Sequence, residues 1–353
     1  MGRPMKTEIS TEKAAAAMRH FKWISVASPR QFNADAPPER PVPRYSLNGV
    51  PVCTPGNLTA ITAPIKSGKS AAVGAMLAAP IAAEAGLVDR DLLGFSASPP
   101  AGKKLIHLDT EQSHFDADAN VRRASMRAGV ERVPDWCWSY FVAGFPPGNL
   151  MEILRALLWL ASLEGGTYAV LIDGIGDMVA DVNDAEECNA VVSELHALAI
   201  EHDCVIVGVI HFNPGSEKSR GHLGSQLERK AESNLALEKD GDGVVTLYGI
   251  KQRGAPIAKN DGPRFAWSTE HGMHMSTGTA GEVREDVKRT ELRELFSEVF
   301  ETRSSMKFAD MSVGIVKARD CTKRTAFYIT SMKNIIQNGD GVCRSFIICS
   351  DNS

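Results

Sequence analysis

Residues 63–70 read Ala-Pro-Ile-Lys-Ser-Gly-Lys-Ser, between the apolar run Leu58–Thr62 and a small-residue run that starts at Ser70. The spacing fits the phosphate loop G-x-x-x-x-G-K-[ST], with Ala63 in place of the first glycine. A strand, a tight turn and a helix in that order direct backbone N–H groups and a helix N-terminus at one point, which suits a phosphate. Gly68 permits close backbone approach. Lys69 can reach β- and γ-phosphates, and Ser70 offers the hydroxyl that holds Mg²⁺. Pro64 has no N–H, so that place in the cradle is lost. The expected cradle is Ala63, Pro64, Ile65, Lys66, Ser67, Gly68, Lys69, Ser70 and Ala71.

Chemistry at such a loop needs partners at neighbouring strand ends. The run 168–173, Tyr-Ala-Val-Leu-Ile-Asp, is apolar and closes on Asp173, a carboxylate for Mg²⁺, held directly or through water. The run 104–112, Lys-Leu-Ile-His-Leu-Asp-Thr-Glu-Gln, sets acids at the end of the strand that follows the loop's helix. Hydrolysis of a nucleoside triphosphate needs a base or water-orienting group beside the γ-phosphate. Glu111 is the candidate and Asp109 the runner-up. The buried run 205–213 ends His211-Phe-Asn213; His211 is either a γ-phosphate sensor or a structural histidine.

The elements that must position these groups alternate. Strands are expected at Leu58–Thr62, Lys104–Leu108, Tyr140–Val142, Ala169–Ile172, Val205–Val209 and Val244–Ile250, with helices at Lys69–Ala85, Leu150–Glu164 and Ala185–His202. Alternation of this kind predicts an α/β fold, a mainly parallel sheet with helices on both faces. Residues 1–45 read as an extension, with a short amphipathic helix at Lys13–Trp23 and a Pro-rich strap from Pro29 to Pro43. The body is expected at 46–275, a linker at 276–287 around Gly278–Gly281, and a small domain at 288–353. Helices are expected there at Arg289–Glu301, Lys307–Arg319 and Thr322–Gln337, then a strand at Cys343–Cys349.

Composition sets outer bounds. The 353 residues are 43% hydrophobic and 23% charged, which excludes a globally disordered chain. The net charge of −4 excludes a wholesale polycation. Residues 288–353 hold 11 basic and 8 acidic side chains, net +3, on a body of net −7. That asymmetry hints at nucleic acid near the C-terminal end. The seven cysteines form no Cys-x-x-Cys pair, which argues against a zinc site and a disulfide framework. No apolar run is long enough to span a membrane, and the N-terminal residues lack a signal-peptide core. The expected location is cytoplasmic.

In their order, these motifs resemble the RecA/DnaB-type ATPases, and more closely the RepA-like hexameric helicases of plasmids, phages and mobile elements. The resemblance spans about residues 46–275. It rests on GNLTAITAPIKSGKS, LIHLDTEQ, YAVLIDGIGD, VIVGVIHFN, SRGHLGSQLERKAESNLAL and LYGIKQRGAPI. It implies a RecA-like domain using ATP and Mg²⁺, with Glu111 as the catalytic carboxylate. It also implies a homo-oligomer, a hexamer, in which Lys251 and Arg253 of Lys-Gln-Arg form a finger acting across a subunit interface. In the related rings, loops after the sensor strand face single-stranded DNA, which would set Lys218 and Arg220 against phosphates. The C-terminal segment resembles a winged helix-turn-helix, in which Lys323, Arg324 and Lys333 could meet DNA, or which could serve protein contacts alone. The implied function is a DNA motor, a replicative helicase. Two alternatives stay open: a loader, recombination or regulatory ATPase that does not unwind, and a small-molecule kinase.

Overall fold

In the computed structural model, the described residues are 31–212 and 219–277, parts of 18–28 and 295–319, and 347–349. Contacts divide the chain into two units, Met1–Pro41 and Val42–Ser353. In the first unit, Met18, Phe21, Lys22 and residues 24–27 are helical, so the helix foreseen at 13–23 reaches further; its first five residues lie outside the described set. Residues 37–43 form neither helix nor strand, as five prolines between 29 and 43 would dictate.

The second unit opens with β1 (Tyr45–Leu47) and β2 (Val50–Cys53), an antiparallel hairpin. Its two-residue turn, Asn48-Gly49, has positive φ at both positions, the geometry that matches strand twist. Then come β3 (Leu58–Ala63), α1 (Lys69–Glu84), β4 (Phe95–Ala97), β5 (Lys104–Asp109), α2 (His114–Ala128), β6 (Cys137–Phe141) and α3 (Pro147–Leu163). They are followed by β7 (Thr167–Asp173), α4 (Ala185–Glu201), β8 (Val205–His211), α5 (Gly221–Lys230) and β9 (Ser233–Lys239). The antiparallel strands β10 (Val245–Gln252), β11 (Arg264–Ser268) and β12 (Met273–Ser276) complete the body. Last are β13 (Ser305–Lys307), α6 (Phe308–Arg319) and β14 (Ile347–Cys349).

The main sheet has nine strands in the order β12-β11-β10-β9-β3-β8-β7-β5-β6. From β9 to β6 the pairs are parallel; β10, β11 and β12 extend the edge antiparallel. All six residues of β3 and all seven of β7 are buried, because both strands have neighbours on each side and layers on each face. One core joins α1 to the face holding Ile61, Leu105, Leu171, Val207 and Leu235. Leu154, Leu158, Val192, Leu195 and Leu227, from three further helices, pack in the other core with Ile106, Val170 and Ile206. Each such Leu, Ile or Val, fully buried, contributes about 1.5–3 kcal/mol. β1, β2 and β4 form a separate small sheet, with Tyr45 and Leu47 in the α1-side core.

The expected parallel strands and helices therefore lie within a residue or two of the observed ones, save β6 and α3, each of which starts three residues earlier than foreseen. In the C-terminal region, α6 matches the helix expected at 307–319, and Met311 and Ile315 on it are buried. β14 occupies the end of the expected strand and pairs parallel with β13. The helix foreseen at 322–337, the linker residues 278–281 and the turn at 339–341 lie outside the described residues, and with them the winged-helix expectation. Among the described residues no helix is long and apolar enough to cross a membrane, and Cys53, Cys137, Cys188 and Cys204 are free thiols.

Candidate phosphate site

The loop joins the end of β3 to the start of α1 at the carboxyl ends of the parallel strands, where ligands of open α/β sheets bind. Ala63 is the last residue of β3 and pairs with His211. Its backbone is extended there, so a Cβ costs nothing and the missing glycine is tolerated. Gly68 is different. Its φ is +90°, and a Cβ would sit 3.1 Å from Phe265 and 3.2 Å from Val245. Lys66 also has positive φ, +60°. Ser67 Oγ donates to the Pro64 carbonyl at 2.7 Å, bracing the turn. Gly68 caps α1 without a side chain, so the first-turn N–H groups face the cleft with their partial positive charge.

Three predicted side chains meet in front of that helix end. Lys69 Nζ donates to His211 Nε2 at 2.5 Å and lies 3.5 Å from Glu111 Oε2. Glu111 Oε1 lies 3.3 Å from His211 Nε2. Burial, and then the Lys69 ammonium, hold the His211 pKa below its ordinary value, with Glu111 opposing. The imidazole is therefore neutral and can accept from Lys69.

The two acids of the Asp-Thr-Glu run have separate places. Asp109 is 1% exposed, and its Oδ1 accepts the N–H groups of Glu111 at 3.2 Å and Gln112 at 3.0 Å. That local turn aims Glu111, whose side chain is 38% exposed and lines the cleft. Thr110 Oγ1 donates to Asp177 Oδ2 at 2.7 Å, binding the end of β5 to the turn after β7. Gly174, at φ +103°, keeps that contact open, since a Cβ there would collide with the Thr110 hydroxyl.

Asp173 ends β7 and is buried. Burial first, then the neighbouring Asp109 carboxylate, push its pKa up to about 7; Lys69 opposes the rise. Asp173 makes no ion pair among the described residues, and its carboxylate and the exposed Ser70 hydroxyl are both oxygen donors, the kind Mg²⁺ takes.

The cleft holds about 550 Å³, within the range of small-molecule sites. Its floor is the loop from Ile65 to Ala71. Sequence reasoning did not foresee its far wall, which brings Arg123 from α2, Lys239 from β9, and Trp267 and His274 from β11 and β12. Arg127 also reaches the cleft, but it is committed elsewhere: it donates to the carbonyls of Asp91 at 2.6 Å and His274 at 2.5 Å. It ties α2 to the β12 edge.

Lys251 and Arg253 stand away from this cleft. Gln252 pairs with Ser233, and Ser233 with Thr59, so the finger lies by the amino end of β3, opposite the loop. Arg253 donates to Asn57 Oδ1 at 3.0 Å and to the Lys230 carbonyl at 3.2 Å. Lys251 donates to the Glu228 carbonyl at 3.2 Å. Arg220 precedes α5 and lines a 320 Å³ cavity with Glu111, Asp177 and His211, beside the site. Phe212 and Ser219 form an antiparallel bridge on either side of residues 213–218. Lys218, Lys323, Arg324 and Lys333 lie outside the described residues. No family model and no curated protein matches the chain.

Proposed function

We propose that the chain is a RecA/DnaB-type, Mg²⁺-dependent ATP hydrolase that drives a homo-hexameric helicase along single-stranded DNA. The observation that carries this reading is the meeting of Lys69, Glu111 and His211 before a helix N-terminus that no side chain caps. The mostly parallel sheet, with β8 between the loop strand and the Asp173 strand, is compatible with a RecA-like domain.

The triphosphate lies along the loop with its γ-phosphate at Lys69. Lys69 exchanges His211 and Glu111 for phosphate oxygens, which frees Glu111 to take a proton from the attacking water. His211, neutral, turns an N–H to the γ-phosphate and reports its presence. Ser70 and Asp173 would hold Mg²⁺, which would supply charge neutralisation at the phosphates. Lys251 and Arg253 cannot serve their own cleft, so they act on that of a neighbouring copy. Lys218 and Arg220 follow His211 by seven and nine residues in the sequence, which would link γ-phosphate state to DNA grip; Lys323, Arg324 and Lys333 would form a second basic contact.

The test is hydrolysis with and without single-stranded DNA, together with strand displacement on a forked duplex. The expected result is DNA-stimulated hydrolysis and displacement, both lost in Lys69→Ala. Hydrolysis without displacement would replace the helicase by a loader or regulatory ATPase. A folded protein that hydrolyses no ATP would overturn the reading.

A further inference from the structure

Behind the phosphate cleft, β5 and β7 set two carboxylates side by side. Asp109 and Asp173 are register partners on adjacent parallel strands. Adjacent strands lie about 4.8 Å apart, and like charges in that position oppose folding. His107 precedes Asp109 by two residues and so shares its face of the sheet. His107, Asp109 and Asp173 are all buried, and each brings a ligand atom within 4.8 Å of the others.

Two of the three carry a polar atom with no hydrogen-bond partner, His107 Nε2 and Asp109 Oδ2. These residues are 2% and 1% exposed. An unmet buried polar atom costs about 1–3 kcal/mol, so such atoms call for a reason. The remaining atoms of both side chains are engaged. His107 Nδ1 meets Ser139 Oγ at 2.8 Å, and Asp109 Oδ1 accepts two backbone N–H groups. Each therefore has one atom left to offer. Among the described residues neither carboxylate makes an ion pair, and Lys69 is directed at His211 and Glu111.

We propose that His107, Asp109 and Asp173 bind a first-row divalent cation of the Mn²⁺ or Zn²⁺ class in the sheet behind the cleft. The imidazole nitrogen decides the class, because Mg²⁺ and Ca²⁺ take oxygen ligands whereas a mixed nitrogen and carboxylate set suits the first-row metals. Metal–ligand bonds of about 2.0–2.2 Å put neighbouring ligand atoms about 3–3.5 Å apart, a small closure from the observed spacing. Ser139 is the outer partner that fixes the ring and presents Nε2, as metal-bound histidines require. Asp173 is shared with the Mg²⁺ position of the proposed function; His107 and Asp109 are not. The site stands whether or not the cleft hydrolyses ATP.

The test uses the full chain, stripped with chelator and free of nucleotide, titrated with Mn²⁺ and followed by the loss of the free-ion electron paramagnetic resonance signal. One Mn²⁺ per chain is expected. His107→Phe should weaken binding by at least tenfold. Ser139→Ala, which keeps the ring and leaves the core packed, should weaken it about tenfold and carries the test should His107→Phe fail to fold. Binding of a fluorescent ATP analogue, measured separately, should persist in both variants. Absence of bound Mn²⁺ in the wild-type chain would overturn the proposal, the two acids then sharing a proton. So would Mn²⁺ binding that Asp173→Asn weakens and that neither His107→Phe nor Ser139→Ala changes, since the ion would then sit on the cleft side.

Discussion

The two ends of the sheet are built differently. At the carboxyl end of β3, Lys69, Glu111 and His211 are bonded to one another and border open space. At its amino end, Lys251 and Arg253 are exposed and bonded to the carbonyls of Glu228 and Lys230 and to Asn57. The first group comes from the start of α1, the turn after β5 and the end of β8. The second comes from the end of β10 and the residue after it, and is held against the carbonyls of Glu228 and Lys230. A single chain thus gathers one carboxylate, one imidazole and one cation at its cleft, and carries two further cations at the opposite end of the sheet. The arrangement makes sense if copies of the chain meet with one's amino edge against another's cleft.

The comparison can be broken most severely at the carboxyl end. Lys69→Ala removes the cation facing the γ-phosphate while the loop backbone stays, so ATP turnover should fall to background in a chain with an unchanged circular dichroism spectrum. Full turnover in the folded variant would put phosphate chemistry elsewhere. Arg253→Ala comes next. Its two hydrogen bonds are at the surface, so stability should change little, whereas hydrolysis should fall by about 10³ or more, as for arginine fingers. An unaltered rate would make the amino edge merely a basic surface.

Glu111→Gln should keep nucleotide binding and lose about 10²–10⁴ in rate. If Asp109→Asn were the more severe in rate and Glu111→Gln mild, the two roles would be exchanged. The smallest effect concerns stability. The Asp173 carboxyl is raised in the folded chain, so it favours folding most below its ordinary value of 3.8, and this contribution is lost as pH rises through about 7. In chelator, Asp173→Asn should raise stability by at least ~1 kcal/mol at pH 8 and by less at pH 5, measured by urea unfolding. Equal differences at both pH values would show that Asp173 is not strained by its burial.

The carboxyl end was legible in the sequence because its chemistry is local. β3 is an apolar run that leads into the loop, and β5, β7 and β8 are largely apolar runs that end on Asp109, Asp173 and His211, so finding the strands finds the candidate site. α2 was missed because its buried positions are Ala117, Ala124, Ser125, Arg127 and Ala128, which make no apolar stripe. Its ends were nonetheless marked, by the Ser113 cap and by Gly129 at positive φ. With α2 unseen, Arg123 could not be set in the cleft. Trp267 and His274 belong to short antiparallel strands at the sheet edge, whose pairing depends on β10 rather than on their own periodicity. His107 reads as an ordinary interior residue until register places Asp109 beside Asp173.

The most direct measurement mixes two inactive proteins. Lys69→Ala chains have an intact Arg253 and a dead cleft; Arg253→Ala chains have an intact cleft and no finger. Combined in equal amounts with ATP, Mg²⁺ and single-stranded DNA, with assembly followed by light scattering, they should form mixed oligomers that regain part of the wild-type hydrolysis rate. Mixed oligomers with no regained activity, or a wild-type chain that hydrolyses ATP at full rate as a monomer, would contradict a site shared between copies.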